Sequence, residues 1–482
     1  MATTAPLRRL MAALTAVLIA VTACGCSGSQ EPEPTASATR TTGKVALFTP
    51  NDGFTLAQDV PLNTWHRLAS TLEDDLVSQG FDKDDIATHT SGDLAAQSQA
   101  VQDYVVDHVD ADERDEQYAD PQGASQSTTL VVAPAIASNG VTRYYGDYVT
   151  VPSGTADSDD AAAVTRLANA LKLAKKGGMH VVMVGNGIDG FTPDATVTLA
   201  TAADIGAMEA RQLVGKLRLD AASNANPKYV EVLLPVAKDN DQAERFAQEA
   251  FKGVWQVLGP YFRSGKAISP SLRLSSSSGE DDWRDVAFTA DSSGDVAKEL
   301  RERLDAKGSD DKRTRIDGIV AMNDFAAAAV CQELTDLKYT GSAADINPSI
   351  TIGDVVGNMT GKQDLTRRQV PDPTKAPTGD ADRSEEATDD SQWPIVTGFG
   401  AYISNMPDIV NGKQWMTGLV NPREGALDIS QLCRYYNQGL DTKELDFLKD
   451  GAVAPQLEAV SAGNLKAALI DPGYITLADA GL

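Results

Sequence analysis

Cysteine and histidine are scarce in this chain, with four of each in 482 residues. His66, His89, His108 and His180 show no ligand spacing, which argues against a metal centre. Cys24 and Cys26 fall in the first thirty residues. That leaves Cys331 and Cys433, which in an exported protein form either a disulfide or two packed thiols, since each sits on a helix-like segment. Positive charge is in deficit. Lys and Arg number 42 against 68 Asp and Glu, for a net charge of -26 and a pI near 4.5. Nucleic acid binding demands clustered Lys and Arg and is excluded on this ground; a strongly anionic ligand is disfavoured. The acidic stretches Asp110 to Asp120 and Asp380 to Asp390 read as exposed loops. No segment after the first two dozen residues is apolar enough to cross a bilayer, which takes roughly 20 residues. A catalytic set is missing too, with no G-x-S-x-G elbow, histidine pair or Cys-His constellation. Gly185-Asn-Gly187-Ile-Asp-Gly190 spells a dinucleotide fingerprint, but that motif needs a helix to open at once. Here Phe191-Thr-Pro193 follows, so the segment reads as a Gly-rich turn. Gly357 to Lys362 has the wrong spacing for a phosphate loop. The expectation is a protein without cofactor or enzymatic chemistry.

The N-terminus is informative. Arg8 and Arg9 precede an apolar run from Leu10 to Val21, and small residues lead to Cys24, the pattern of a secretory signal. Val21-Thr-Ala-Cys24 resembles the bacterial lipobox, in which the cysteine becomes the acylated first residue of the mature chain. The competing reading is a plain signal peptide cut near Ala23. Cys26 suits lipidation less well, because Ala23 stands where a branched apolar residue is wanted. Residues 1–23 are thus the signal. Residues 24–43, polar and Pro-containing, form a tether to the lipid bilayer. About 440 residues remain, enough for two domains.

Along that body, short β-branched runs alternate with amphipathic, helix-length segments. Lys44 to Thr49, Thr129 to Ala133, Val181 to Val184, Val230 to Leu234, Gly318 to Ala321 and Ile395 to Thr397 read as strands. Trp65 to Ser78, Leu94 to Val109, Asp160 to Lys176, Gln242 to Leu258, Val296 to Ala306, Phe325 to Leu337 and Leu427 to Asn437 read as helices. Such alternation specifies α/β architecture, with doubly wound parallel sheets that bind ligands at the carboxyl ends of their strands. Between Thr340 and Trp393 the pattern fails. Lys375 to Asp390, rich in Pro, Gly, Asp and Glu, reads as a mobile insertion, with outer limits near 366 and 392.

Several stretches resemble the type I periplasmic binding proteins of sugar transporters, particularly the xylose and multiple-sugar branch. Lys238-Asp-Asn-Asp-Gln-Ala-Glu-Arg-Phe-Ala-Gln-Glu-Ala-Phe-Lys-Gly253, continuing to Tyr261, is similar to that branch's D-N-N-A start, K-G turn and V-L-x-P-Y ending. Asp282-Trp283, Ile316 to Ala326, Pro394 to Gly398 and Gly412 to Thr417 follow in matching order. The resemblance implies two α/β lobes joined by a three-segment hinge and closing on one small neutral solute. Residues 44–198 form the N-terminal lobe, completed by about 416–462. Residues 199–415 form the C-terminal lobe, completed by about 463–482. Cys331 and Cys433 then lie in different lobes. The implied function is a lipid-anchored, extracytoplasmic binding protein that captures a sugar for the permease of an ABC uptake transporter. The alternatives are a receptor for another polar solute, or a surface scaffold that has lost small-molecule binding.

Family roles carry over only where residues match. Trp65 and Trp283 match aromatics that cover a sugar face, against a competing role in core packing. Asn323 matches a hydroxyl-binding Asn, with Asp324 expected to cap the helix behind it. Asp241 and Arg245 match a sugar-binding pair, or are a surface ion pair four residues apart on one helix. The departures are as specific. Thr64 replaces an Arg, Gly185-Asn186 an Asp-Arg pair, Phe399-Gly400-Ala401 a Q-D-A segment, and Ala200-Thr201 an Asp-Asn pair. Three positions that would make charge-assisted bonds to hydroxyls are therefore neutral.

Overall fold

The computed structural model describes residues 42–52, 60–115, 127–136, 142–150, 160–238, 240–305, 314–343 and 392–482. Cys24, most of the tether, Gly357 to Lys362 and the acidic stretch Lys375 to Asp390 lie outside the described residues.

The first lobe is built from β1 (Lys44–Pro50), α1 (Trp65–Ser78), β2 (Ile86–Ser91), α2 (Leu94–Asp115), β3 (Thr128–Val132), α3 (Ala161–Lys176), β4 (His180–Val184) and β5 (Ala195–Val197). The chain then builds the second lobe. It begins with α4 (Ala202–Leu217), β6 (Lys228–Val232), β7 (Leu234–Val236), α5 (Asp241–Arg263), β8 (Ala267–Ile268), α6 (Trp283–Val286) and β9 (Ala287–Thr289). It continues with α7 (Ser293–Asp305), β10 (Gly318–Val320), α8 (Asp324–Asp336), β11 (Ile395–Phe399), α9 (Met406–Asn411) and β12 (Met416–Val420). Next, α10 (Pro422–Asn437), β13 (Leu448–Lys449) and β14 (Ala452–Val453) return to the first lobe, and β15 (Leu457–Ser461) goes back to the second.

Two main sheets result, in the orders β13-β14-β5-β4-β3-β1-β2 and β15-β12-β11-β10-β6-β8, and β7 pairs with β9 in a separate two-stranded sheet. All pairings are parallel except β13–β14 and β12–β15. The central strands are buried on both faces, as parallel strands between helix layers must be. In β1 the alternation sends Val45 and Leu47 to the side covered by α1 and α10, and Ala46 and Phe48 to the side covered by α2 and α3. In β11, Thr397 faces Glu209 of α4 while the next residue, Gly398, abuts Asp324 and Ala327 of α8. The α/β architecture expected from the alternation, and the two lobes that the resemblance implied, are thus present.

The chain crosses between the sheets three times: after Val197, at Asn421, and between Val453 and Leu457. This corrects the implied completion of the first lobe by 416–462. β12 pairs with β11, and β15 pairs with β12, so both belong to the second sheet. The returning segment is α10 to β14. Helix α2 runs on to Asp115, so the first half of the expected acidic loop at Asp110 to Asp120 is helical and its end lies outside the described residues. Helix α4, capped by Thr201, was not anticipated. The loop after β4 opens no helix, in keeping with a turn. Cys331 on α8 and Cys433 on α10 are buried, unbridged thiols in separate lobes, and burial pushes both thiol pKa values up.

Candidate ligand site

Four strands of the first lobe, β1 to β4, are each followed by residues that face one concavity. Asn51 follows β1, Gly92 and Asp93 follow β2, Pro134 to Ile136 follow β3, and Asn186 follows β4. With Trp65, Gly146, Asp147, Val149 and Asp160 they line a cavity of about 320 Å3. Its walls are fixed from behind. Asp52 accepts from the N–H groups of Trp65 (2.7 Å) and His66 (2.9 Å), which anchors the start of α1. Asp93 caps α2 by accepting from Ala96 N–H at 2.7 Å. Buried Gln97 donates to Ala133 O and accepts from Ala135 N–H, both at 2.8 Å, clamping the chain where it leaves β3. Trp65 is only 6% exposed; its ring lies 5.4 Å from that of Tyr148 and beside Gly185, where φ is +74°. Thr64, standing where the resembled family has Arg, caps α1, and its carbonyl accepts from the Tyr148 hydroxyl at 2.6 Å.

The second lobe presents the ends of β10 and β11. Both turn through left-handed backbone, at Met322 (φ +68°) and at Gly400 and Ala401 (φ +123° and +52°). For a buried non-glycine residue such as Met322 that conformation is strained and persists only where its surroundings enforce it. It places Asn323 as the cap of α8, accepting from Ala326 N–H at 2.8 Å, and this corrects the expected division of labour. Asp324 does not cap. Its carboxylate accepts from Gln414 Nε2 (2.6 Å), Thr417 Oγ1 (2.7 Å) and Tyr402 N–H (2.9 Å), joining α8 to β12 and to the chain after β11. Burial pushes its pKa up to about 6 against the lowering effect of these bonds.

The space in front of Asn323 is filled by the chain itself. Tyr144 and Tyr145, from the segment between β3 and α3, reach across from the first lobe. Tyr145, 2% exposed, packs 4.7 Å from Phe246 of α5 and 6.4 Å from Phe399, with its hydroxyl close enough to the Asn323 side chain to feel it electrostatically. Tyr144 stacks on Phe325 at 4.5 Å, and its carbonyl accepts from the Tyr402 hydroxyl at 3.0 Å.

Of the residues singled out from the sequence, the structure sets Trp65 in the cavity wall and Asn323 at the lobe interface. Trp283 lies elsewhere, 4% exposed in the core beneath α5, with the Arg284 guanidinium 4.2 Å from its ring centre. Asp241 and Arg245 are exposed on the first turns of α5. Sequence reasoning missed Asn51, Asp93, Asp147, Asp160 and Tyr145. The signal for the first two was their position directly after strands; Tyr145 carried none. Among the described residues no group of His, Cys, Asp and Glu is arranged to hold a metal.

No family model matches this chain, and no curated protein matches it. Among solved structures it is similar to an ABC transporter solute binding protein from Clostridium phytofermentans with bound β-D-glucose, at 17% identity and a TM-score of 0.46, covering 90% of this chain and 99% of that one. A carbohydrate transporter solute binding protein from Chloroflexus aurantiacus in complex with D-glucose gives 17% identity, a TM-score of 0.47, and 91% and 98% coverage. A periplasmic ribose ABC transporter protein from Conexibacter woesei gives 10% identity, a TM-score of 0.48, and 90% and 96% coverage. The fold assignment itself stands on strand order and the three crossovers.

Proposed function

We propose that this chain is a lipid-anchored extracytoplasmic solute-binding protein that holds a small neutral polar ligand, a sugar in the first instance, for the permease of an ABC transporter. The observation that carries this reading is the first-lobe cavity. Its volume is in the range of small-molecule sites. Its described lining combines an aromatic, three carboxylates and two amides, with no Lys, Arg or His. Carboxylates and amides satisfy hydroxyl groups, an aromatic suits the apolar C–H face of a pyranose, and three carboxylates oppose an anion. A thermal-shift screen of monosaccharides, polyols and nucleosides on the full chain tests this. A ligand at 100 times its Kd stabilises by roughly 2.7 kcal/mol. Asn186→Ala should then weaken that ligand by about tenfold, the loss of one buried hydrogen bond being worth about 1–3 kcal/mol. Absence of any stabilising solute at millimolar concentration would remove the reading. Acylation at Cys24 is tested separately, since Cys24→Ala should release the protein from membranes, and retention of the processed variant counts against the anchor.

One observation favours a second reading, a scaffold that has lost small-molecule binding: Tyr145 fills the second-lobe side of the interface. A chain that binds nothing in the screen, and whose partners are captured equally well by the Asn186→Ala variant, would be this.

A further inference from the structure

We propose that Tyr145 is a built-in occupant of the second-lobe half of the interlobe site, holding the lobes closed with no ligand present and confining any ligand to the first-lobe cavity. In a hinged two-lobed binder, closure is ordinarily bought by contacts that the ligand supplies to both lobes. Here the first lobe supplies them from its own sequence.

Two of its segments bury side chains in the second lobe. Leu62, between β1 and α1, packs with Ala401, Met406 and Leu419, and its N–H donates to Gly400 O at 2.8 Å. Tyr144 and Tyr145 meet Phe325, Phe246, Phe399 and Asn323. The two segments brace each other. Gly146 turns at φ +99° directly after Tyr145, where a Cβ would stand 3.3 Å from Pro61 and 3.4 Å from Asn63. Gly400 brings its backbone against Tyr144 O, leaving a Cβ there only 3.3 Å from that oxygen and 2.8 Å from the Tyr402 ring. Tyr145 therefore belongs to one contiguous apolar cluster that runs from Val45 and Val131 in the first lobe to Val232 and Ile319 in the second. Burying an aromatic of this kind against the opposite lobe biases the lobe equilibrium toward closure, by at least tenfold, or about 1.4 kcal/mol. The polar partner that a ligand hydroxyl would need, Asn323, is buried behind Tyr145, and its side-chain oxygen is taken up by the α8 N-terminus. Ligand contact is left to the first lobe.

Amide hydrogen exchange on the full chain in detergent, with no solute added, tests the proposal. The Leu62 amide, whose acceptor lies in the opposite lobe, should be protected in the wild type. Tyr145→Ala should speed its exchange at least tenfold while amides of the sheet cores, such as Val131 and Ile319, keep their protection. Tyr145→Phe, which keeps the ring and removes the hydroxyl beside Asn323, should fall between them. If Tyr145→Ala also unprotects the sheets, Phe325→Ala is read by the same criterion, since it removes the Tyr144 stack from a half-buried position. Free exchange of Leu62 in the wild type, or no change in the variants, overturns the proposal. Because no solute is used, that failure is separate from failure of the binding reading.

Discussion

Glu209 carries an unusual burden for a single side chain. It is fully buried on α4, and its Oε2 accepts from Thr397 Oγ1 at 2.7 Å. Burial pushes its pKa up to about 8, ahead of the lowering effect of the Thr397 bond and the raising effect of Asp324. In the unfolded chain the group titrates near 4.5. Between those two values the unfolded chain is ionised while the folded one holds a proton. Folding therefore takes up a proton, and stability falls as pH rises through the window; below it and above it this group adds no further pH dependence. Glu209→Gln keeps an acceptor for Thr397 and abolishes the titration. Its urea midpoint should move above that of the wild type progressively from pH 5 to pH 8, by up to roughly 1.4 kcal/mol per pH unit. A constant difference across that range would show that Glu209 is not buried as described. The exchanged roles of Asn323 and Asp324 belong to this scale too. Either residue is a good helix cap, and only the placement of Gln414, Thr417 and Tyr402 around the second carboxylate decides between them.

Among elements, the crossing of α4 and α5 is the tightest contact. A Cβ at Gly206 would stand 2.2 Å from Ala250 O, and one at Gly253 only 2.0 Å from Ala203 O, so each helix lays backbone on the other's glycine. Gly253 is the glycine of the K-G turn that the sequence resemblance picked out, and close approach is the physical reason for it. Gly253→Ala should force the helices apart and cost about 1–3 kcal/mol, the usual range for overpacking, despite Ala's better helix propensity. Urea denaturation measures it, and an unshifted or raised midpoint would mean the helices do not cross at this distance. Helix α4 itself escaped the sequence pattern because it is buried over most of its surface, from Ile205 and Gly206 through Glu209 to Leu213. An amphipathic stripe is the signal for a helix with a wet face, and this one lies between the second sheet and α5.

At the scale of the molecule, the continuity of the core through Tyr145 predicts cooperativity. Each lobe has its own sheet, and two lobes joined only by crossovers would be free to melt separately. With a shared apolar cluster the wild type should unfold in one calorimetric transition, and Tyr145→Ala should broaden or split it. Two resolved transitions in the wild type would be incompatible with a shared core. The net charge of -26 acts on the same scale. Self-repulsion in the compact state is screened by salt, so the melting temperature should rise between 10 mM and 0.5 M sodium chloride; a fall would point to attractive ion pairs as the dominant charge effect.

What the sequence determined by itself is local and periodic. The alternation of β-branched runs with amphipathic segments dictated α/β architecture with parallel sheets and pointed to the strand ends, where Asn51, Asp93 and Asn186 line the cavity; the division into two lobes came from the family resemblance. Acidic composition argued against a strongly anionic ligand. Tertiary structure alone decided which residues meet. Trp283 and Trp65 look equivalent as isolated aromatics, yet one is sealed beneath α5 and the other borders the cavity. Tyr145 sits between Tyr144 and Gly146 in a segment with no motif, and its partners Phe246, Asn323 and Phe399 lie about 100 to 250 residues further along the chain. Periodicity reports the face a residue turns to its own element's neighbours; a contact across two lobes is set by where three crossovers bring those elements together.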